Sequence, residues 1–430
     1  MVMIPSPSGH PIDETVTKGL LDLTQEIIDV CPERLAGTPA CKRTAELLAE
    51  KLKPCCDSVA IEPFELHPGA FLGFMKFQAV AYIISTMLFF MGGVWRWWAA
   101  VGYTLANINS LSQFVFYKEL FDRFYRKQMG WNVAGIIEPA GVARQQIIVS
   151  GHHDGAYVFN YLTRFQKLYA PRIISGIVPT VTAMFLLWFW LAYEHFTGAA
   201  PIYAPILPYF LILGIPLVGE LYFFLGKRGV PGAGDNLIAC AIAVKLAELF
   251  GGAKKNGSPL LKHTRLMLVS CDAEEAGLRG ARAFVRRHKE ELLALPTYVF
   301  NIDSPYEFQE IQFLTTDING SLRLSKQLAT ECTQVAAELG YTTRTVPMTF
   351  GGGGTDAAEY ARIGVEATTL IAMSTNMIRD GLVYHTLEDK VENLDPKTIE
   401  AAFKIAHRFI LRKEGALISN SHYGGDGNAG

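Results

Sequence analysis

Residues 265–288 read RLMLVSCDAEEAGLRGARAFVRRH. Arg265–Ser270 is a short apolar run with the length and composition of a buried strand. From about Leu278 to His288 the apolar residues recur at helical spacing. Two adjacent carboxylates, Glu274 and Glu275, stand between them. A strand that passes into a helix through an acidic loop is the repeating unit of an α/β fold.

Working outward, the same unit recurs. QQIIVS (145–150) ends in Gly151-His152-His153-Asp154. NLIACAIAVKLAELF (236–250) has helical spacing and follows Gly-Ala-Gly-Asp235. Thr297–Ile302 is a strand ending on Asp303, and Ala367–Met373 is another. Asp395-Pro396 opens a last helix, Lys397–Leu411, with proline at its first position. Glu14–Val30 and Ala40–Leu52 read as two earlier helices. The expectation is an α/β protein with a largely parallel central sheet and helices on both faces.

The chain has 430 residues, half of them apolar and only 19% charged, where a soluble globular chain carries about 25%. Its net charge of −2 disfavours a nucleic-acid binder and an acidic solvating chain alike. Seven cysteines in a chain of this length do not suggest a disulfide scaffold. The first residues, MVMIPSPSGHPIDETVTKG, lack the basic start and apolar stretch of a cleavable signal peptide. The last, SNSHYGGDGNAG, read as a flexible tail, 416–430.

The apolar excess sits in two blocks. Phe77–Tyr117 is interrupted by one charge, Arg96, and Ile173–Gly219 by Glu194 and His195. Each has the length of two membrane-crossing helices, since one span needs about 20 apolar residues. The blocks therefore predict four spans in two hairpins, 77–117 and 171–226, with tryptophans near their ends as interfacial belts have. The catalytic domain is expected over 1–76, 118–170 and 227–415. Pro205, Pro208 and Pro216 predict a kinked or late-starting fourth span. Basic residues cluster in 118–128, 162–172 and 227–228, whereas the hairpin tips carry only Arg96. Positive flanks stay cytoplasmic, which makes this a multi-pass membrane protein in contact with the bilayer and with its catalytic domain on the cytoplasmic side. The sequence specifies no oligomeric state.

Several strand ends and loops carry groups able to bind metal: His152 and Asp154, Asp235, Glu274 and Glu275, Asp303, and His385 in VYHT. Ligand sites in open α/β sheets form outside the carboxyl ends of the strands, so these groups can meet on one rim. Taken singly each has an ordinary structural reading: a surface H-x-D pair, acids at a helix start, an N-cap, a turn. Their joint occurrence in order does not. Imidazoles mixed with carboxylates suit zinc in a catalytic site. The carboxylates are too many for one ion, and two ions sharing a bridging carboxylate relieve the repulsion. If the Glu pair is extended, its side chains point opposite ways, one to metal and one to substrate. Gly351–Gly354 lacks the Lys-Ser/Thr of a phosphate loop and reads as a mobile loop.

GHHD, GAGDN, DAEEAGLRGARAF, NIDS and YHTLEDKVENLD, together with CPERLAGTPACKRTAELLAEKL and GVEATTLIAM, resemble the co-catalytic dizinc aminopeptidases, relatives of glutamate carboxypeptidase, glutaminyl cyclase and the transferrin receptor. The resemblance implies two Zn2+ ions, with His152 and Asp303 on one, Glu275 and His385 on the other, and Asp235 bridging. It implies Glu274 as general base on the metal-bound water, Asp154 as the residue orienting a ligand, and Tyr384 as donor to the tetrahedral intermediate. Asp356 falls at a position near substrate that is not a ligand. The expected function is a membrane-anchored zinc aminopeptidase cleaving N-terminal bonds of peptides with a free N-terminus. A glutaminyl-cyclase-type aminoacyltransferase is the alternative, and a non-catalytic receptor or scaffold a further one. Leu237–Cys240 are bulkier than the family's usual small residues and are expected to thicken the pocket wall.

Overall fold

The computed structural model describes residues 14–374, 379 and 381–423. Strands along the chain are β1 (Ser58–Leu66), β2 (Gln128–Ile137), β3 (Gln145–His152), β4 (Tyr157–Phe159), β5 (Leu225–Gly229), β6 (Thr264–Cys271), β7 (Thr297–Pro305), β8 (Ile311–Leu314), β9 (Thr316–Asp317), β10 (Leu322–Arg323), β11 (Arg344–Val346) and β12 (Glu366–Ala372). Eight of them form one sheet in the order β1-β2-β6-β3-β7-β12-β8-β11. The central β6, β3, β7 and β12 are mutually parallel. Both flanks are antiparallel, at β2 against β6 and at β8 against β12. Every residue of β3 is buried, as a strand covered on both faces must be.

The first helices are α1 (Glu14–Val30), α2 (Pro39–Leu52), α3 (Gly73–Met91) and α4 (Trp95–Ser110). Next come α5 (Asn160–Phe165), α6 (Tyr169–Thr197), α7 (Leu207–Gly219) and α8 (Ile238–Lys255). The last are α9 (Arg279–Ala294), α10 (Lys326–Glu338), α11 (Ala357–Ala361) and α12 (Pro396–Tyr423). One sheet face packs on α1, α2, α8, α10 and α12 through residues such as Leu48, Ile242, Val335 and Phe409. The other packs on α9 and α11 through Phe284 and Tyr360. Leu237, Ile238, Ala239 and Cys240 belong to the first of these cores. They face the sheet, not a pocket wall, which corrects the expectation drawn from their bulk.

Strands β1, β2, β8 and β11 were not anticipated. β1 is largely exposed at its outer half, so it lacks the continuous apolar run that marks the central strands. Of the tail expected over 416–430, residues 416–423 are helical as the end of α12, and 424–430 lie outside the described residues. The N-terminal residues read for a signal peptide lie, up to 13, outside the described residues.

The two apolar blocks fold as helical hairpins, α3–α4 and α6–α7. α4 continues as a π-helical turn, Leu111–Val115, and α7 as a 3-10 turn, Glu220–Phe223. The fourth helix starts only at Leu207, beside the prolines. Among the described residues three helical stretches are long and apolar enough to cross a membrane: Gly73–Met91, Asn160–Thr197 and Ala233–Lys255. Burial separates the third from the others, for 72% of its apolar window is inside the protein against 44% and 33%. It is α8, a core helix. Leu207–Phe223 is apolar but shorter, and α4 has only 16 residues. Two of the four anticipated spans thus reach full length on this measure. Polar residues of α4 turn inward, with Asn107 Nδ2 donating to the Thr180 carbonyl at 3.3 Å and Ser110 Oγ to Gln78 Oε1 at 2.5 Å. The tip charges Arg96 and Glu194 pair with each other at 3.7 Å.

Gly280, at the start of α9, lets the helix approach the loop after β6. A Cβ there would stand 1.8 Å from the Asp272 carbonyl oxygen and 2.6 Å from Asn132 Oδ1. Asn132 fastens the same junction, accepting from the Asp272 N–H at 3.0 Å and donating to the Gly280 carbonyl at 2.9 Å. Gly280→Ala is expected to lose about 1–3 kcal/mol of stability through overpacking, seen as a lowered thermal midpoint. An unchanged midpoint would contradict this packing.

Candidate metal centre

The carboxyl ends of β3, β6 and β7 bring together His152, the Glu274–Glu275 loop and Asp303. The turn before α8 adds Asp235, and the loop after β12 adds His385. All are buried or nearly so. His152 Nε2 lies 3.2 Å from Asp235 Oδ1, 3.8 Å from Glu274 Oε2 and 4.0 Å from Asp303 Oδ2. His385 Nε2 lies 2.9 Å from Asp235 Oδ2 and 2.9 Å from Glu275 Oε1. Asp235 therefore turns one oxygen towards each imidazole.

Other residues hold these groups in place. His152 Nδ1 faces the Asp154 carbonyl oxygen at 3.2 Å, which leaves Nε2 directed into the cluster. The Asp154 carboxylate accepts the backbone N–H groups of Glu274 and Glu275, both at 3.1 Å. The Glu274–Glu275 pair is not extended, so strand alternation does not separate its side chains. It sits in a tight turn bounded by Ala273 and Leu278, both at positive φ, and that turn sends the two side chains to different imidazoles. Ser304 and His385 also have positive φ. Such non-glycine conformations cost on the order of 1–3 kcal/mol each and gather at functional sites.

Two contributors escaped the sequence reading. Asp389 accepts the N–H of Gly234 at 2.8 Å and of Asp235 at 3.2 Å. Arg34, fully buried, donates to the carbonyls of His153 at 2.9 Å and Gly232 at 2.9 Å. It ties the β3 loop to the Asp235 turn. Both stand in stretches singled out above, LEDK and PERLAG, but only their long-range partners reveal the roles. His153 points away from the cluster, its Nδ1 2.8 Å from Ser270 Oγ. Asp356 is buried and belongs to none of the three side-chain groups, among the described residues, that could hold a metal. The Gly351–Gly354 loop, expected to be mobile, is fastened by the N–H groups of Gly351 and Gly353 to Asn319 Oδ1.

Electrostatics mark the cluster as built for cations. Burial pushes Glu274 and Asp303 well above the ordinary carboxylate range; neighbouring carboxylates add to this and His152 opposes it. Burial likewise pushes Glu275 up to about 7. Burial alone would lower both histidines, but the carboxylates raise His385 to about 10 and His152 well above its usual value. Asp235 is the exception: burial acts to raise it, and the two imidazoles outweigh that and hold it low. The atoms tell the same story. His385 Nε2 meets two carboxylate oxygens at 2.9 Å, and one ring proton can serve only one of them. His152 Nε2, Asp235 Oδ2 and His385 Nδ1 make no hydrogen bond. Imidazole nitrogens and carboxylate oxygens converging without protons enough to share are the donor set of zinc. The groups His152–Asp235–Glu275 and His152–Glu274–Asp303 each bring three donor atoms within 4.8 Å of one another.

Residues 219–410 match the model of Peptidase family M28. That match covers a little under half of the chain. The matched residues include Asp235, Glu274, Glu275, Asp303, Tyr384 and His385, while His152 and Asp154 lie ahead of them. No curated protein matches the chain by sequence. Solved structures resemble this chain in fold. A Bacillus subtilis zinc aminopeptidase superposes with TM-score 0.53 at 14% identity, covering 96% of each chain. A Fimbriiglobus ruber glutaminyl cyclase superposes with TM-score 0.54 at 13% identity, covering 94% of this chain and 96% of its own. A Bacteroides thetaiotaomicron glutaminyl cyclase gives 0.53 at 11%, covering 92% and 97%. In this chain the Tyr384 ring stacks on the His385 imidazole at 3.7 Å. Burial, then the charges of Asp235, Glu275 and Glu274, push its phenol well above the ordinary range.

Proposed function

We propose that this chain is a membrane-anchored, zinc-dependent aminopeptidase. One observation carries the reading: Asp235 offers one oxygen to each of two imidazoles, and each imidazole has further carboxylates beside it. On this reading two ions would be held, one by His152 and Asp303 and the other by Glu275 and His385, with Asp235 able to serve both. Zinc, when bound, supplies Lewis acidity to the scissile carbonyl and a water acidified towards pH 7.

The chain's own residues do the rest. Glu274 takes a proton from the attacking water on its carboxylate and returns it to the leaving amine. Water adds across the peptide C–N bond, giving a free amino acid and a peptide shortened by one residue. Asp154 holds the backbone of the Glu pair, and Tyr384 donates to the developing oxyanion. The acidic cluster attracts a protonated α-amino group, which directs attack to the first peptide bond.

The hairpins are read as the anchor. Val94, Trp98, Phe185 and Leu213 are among many large apolar side chains exposed on them, at 64, 58, 64 and 68%. A patch of that extent is disfavoured in water and favoured in lipid. The catalytic domain is then 1–76, 118–170 and 227–415, and the basic hairpin feet support a cytoplasmic side for it.

A count of zinc in the full-length protein purified in detergent, with a screen of aminoacyl peptides, tests this. The expected result is two zinc ions per chain and release of the N-terminal residue that chelator abolishes. The fold likeness to glutaminyl cyclases supports a second reading. One zinc and pyroglutamate from a Gln-initiated peptide would favour the cyclase and overturn the peptidase.

A further inference from the structure

The feet of both hairpins touch the loops that carry the catalytic cluster. At the first hairpin, buried Gln113 accepts from Arg279 Nη2 at 3.1 Å, and Arg279 Nη1 donates to the Gly277 carbonyl at 2.7 Å. Gly277 closes the turn that bears Glu274 and Glu275. Phe71, just ahead of α3, packs on that glycine so closely that a Cβ there would stand 2.7 Å from its ring. Phe71 in turn meets Tyr117, beyond the end of α4, at 4.7 Å between centroids.

At the second hairpin, the Phe159 N–H donates to the His385 carbonyl at 2.9 Å, and its ring meets the imidazole edge-on at 4.2 Å. The same ring stacks on Tyr169, the first residue of α6, at 6.2 Å, and lies 4.5 Å from Phe224 at the returning foot. Gln166 exchanges two hydrogen bonds with the Leu382 backbone, both at 3.2 Å. The hairpin bases thus touch the cluster's own loops directly.

The surface at that level has the character of a lipid–water boundary. Phe116, Leu120, Phe124, Leu168, Tyr222 and Phe223 are exposed there. Lys118, Arg123, Arg164, Lys167 and Lys227 are exposed among them. Amphipathic and apolar side chains interleaved with cations suit the headgroup region of an anionic leaflet. All four hairpin helices run away from this level to tips at 92–94 and 198–206.

We propose that the site acts on polypeptide N-termini held at the bilayer surface, the first residues of membrane-anchored chains, in preference to peptides free in solution. The proposal rests on the membrane-anchored peptidase reading. Its geometric consequence is reach. An extended chain spans at most about 3.3–3.6 Å per residue, so a three-residue spacer extends only about 10 Å from the membrane. A site at the boundary accepts such a substrate, and a site held far above it does not.

The test uses full-length, zinc-loaded protein in anionic lipid vesicles. Substrates share one set of N-terminal sequences beginning with Leu, Phe, Ala, Lys or Gln. Each is made in three forms: palmitoylated after a three-residue spacer, palmitoylated after about 20 residues of Gly-Ser, a spacer that reaches well clear of the surface, and without the acyl chain. Mass spectrometry reads the released amino acid. The short-spacer form is expected to be turned over at least tenfold faster than the free peptide, and no slower than the long-spacer form. Cleavage of the long-spacer and free forms with the short-spacer form inert would overturn the proposal, because tethering alone favours both anchored forms equally. Equal rates for free and anchored peptides would overturn it too. If no form is cleaved while zinc is bound, the peptidase reading itself fails.

Discussion

Glu274→Gln is expected to lower kcat by about 10²–10⁴-fold, the usual contribution of a positioned general base, while zinc content stays that of the unaltered protein. The substitution keeps size and shape but removes the site that holds the proton. Glu274 is the only carboxylate of the cluster that the two-ion partition leaves without an ion, so its loss acts on proton transfer and leaves the donors intact. KM is expected to change little, because the substituted group acts in the transition state. Turnover rates and elemental analysis on the same sample decide the matter. Undiminished turnover would remove Glu274 from the role of base; loss of zinc alongside turnover would make it a ligand.

Stripping the metal is expected to destabilise the protein, and more so at higher pH. A bound ion at about 1,000 times its Kd contributes about 4 kcal/mol, which in a chain of this size shifts the thermal midpoint by on the order of 10 °C. The pH dependence follows from the cluster. Glu275 is raised to about 7 in the folded protein, and Glu274 and Asp303 are raised as well. His385 is raised to about 10. A group raised on folding contributes stability that is complete below its unfolded pKa and is lost as pH rises through the folded value. For Glu275 that window runs from the ordinary carboxylate range to about 7, and for His385 from about 6.5 to about 10. Asp235, held low, has the opposite sign and matters only in strong acid. Chelated protein should therefore lose stability between pH 5 and 8, whereas zinc binds better as its ligands deprotonate. The gap in thermal midpoint between zinc-loaded and chelated samples is expected to widen across that range. A gap that narrowed, or none at all, would remove the cations from the cluster.

Much of the molecule was legible before any coordinates. The continuous apolar runs of β3, β6 and β7 announce strands buried on both faces, and the spacing through Ile238–Phe250 announces α8. Hydrogen bonding and side-chain periodicity act over a few residues, so a short window of sequence contains them. The hairpins were legible for the same reason, since apolar length is a local property. So was the list of groups able to bind a metal, because the chemistry of an imidazole or a carboxylate belongs to the residue that bears it.

What the sequence by itself determined was thus the set of elements and the inventory of reactive groups. Tertiary structure alone decided which groups meet. Asp235 stands between two imidazoles only because β3, the turn before α8 and the loop after β12 converge at one sheet edge. Asp389, 154 residues from Asp235 in the chain, and Arg34, 119 residues from His153, hold that edge in shape. The same packing curls the Glu274–Glu275 pair into a turn, and presses Phe159, at the end of β4 and against the foot of the second hairpin, onto His385. The physical reason is that proximity in a folded chain comes from packing summed over the whole core, and no short stretch of sequence carries that sum.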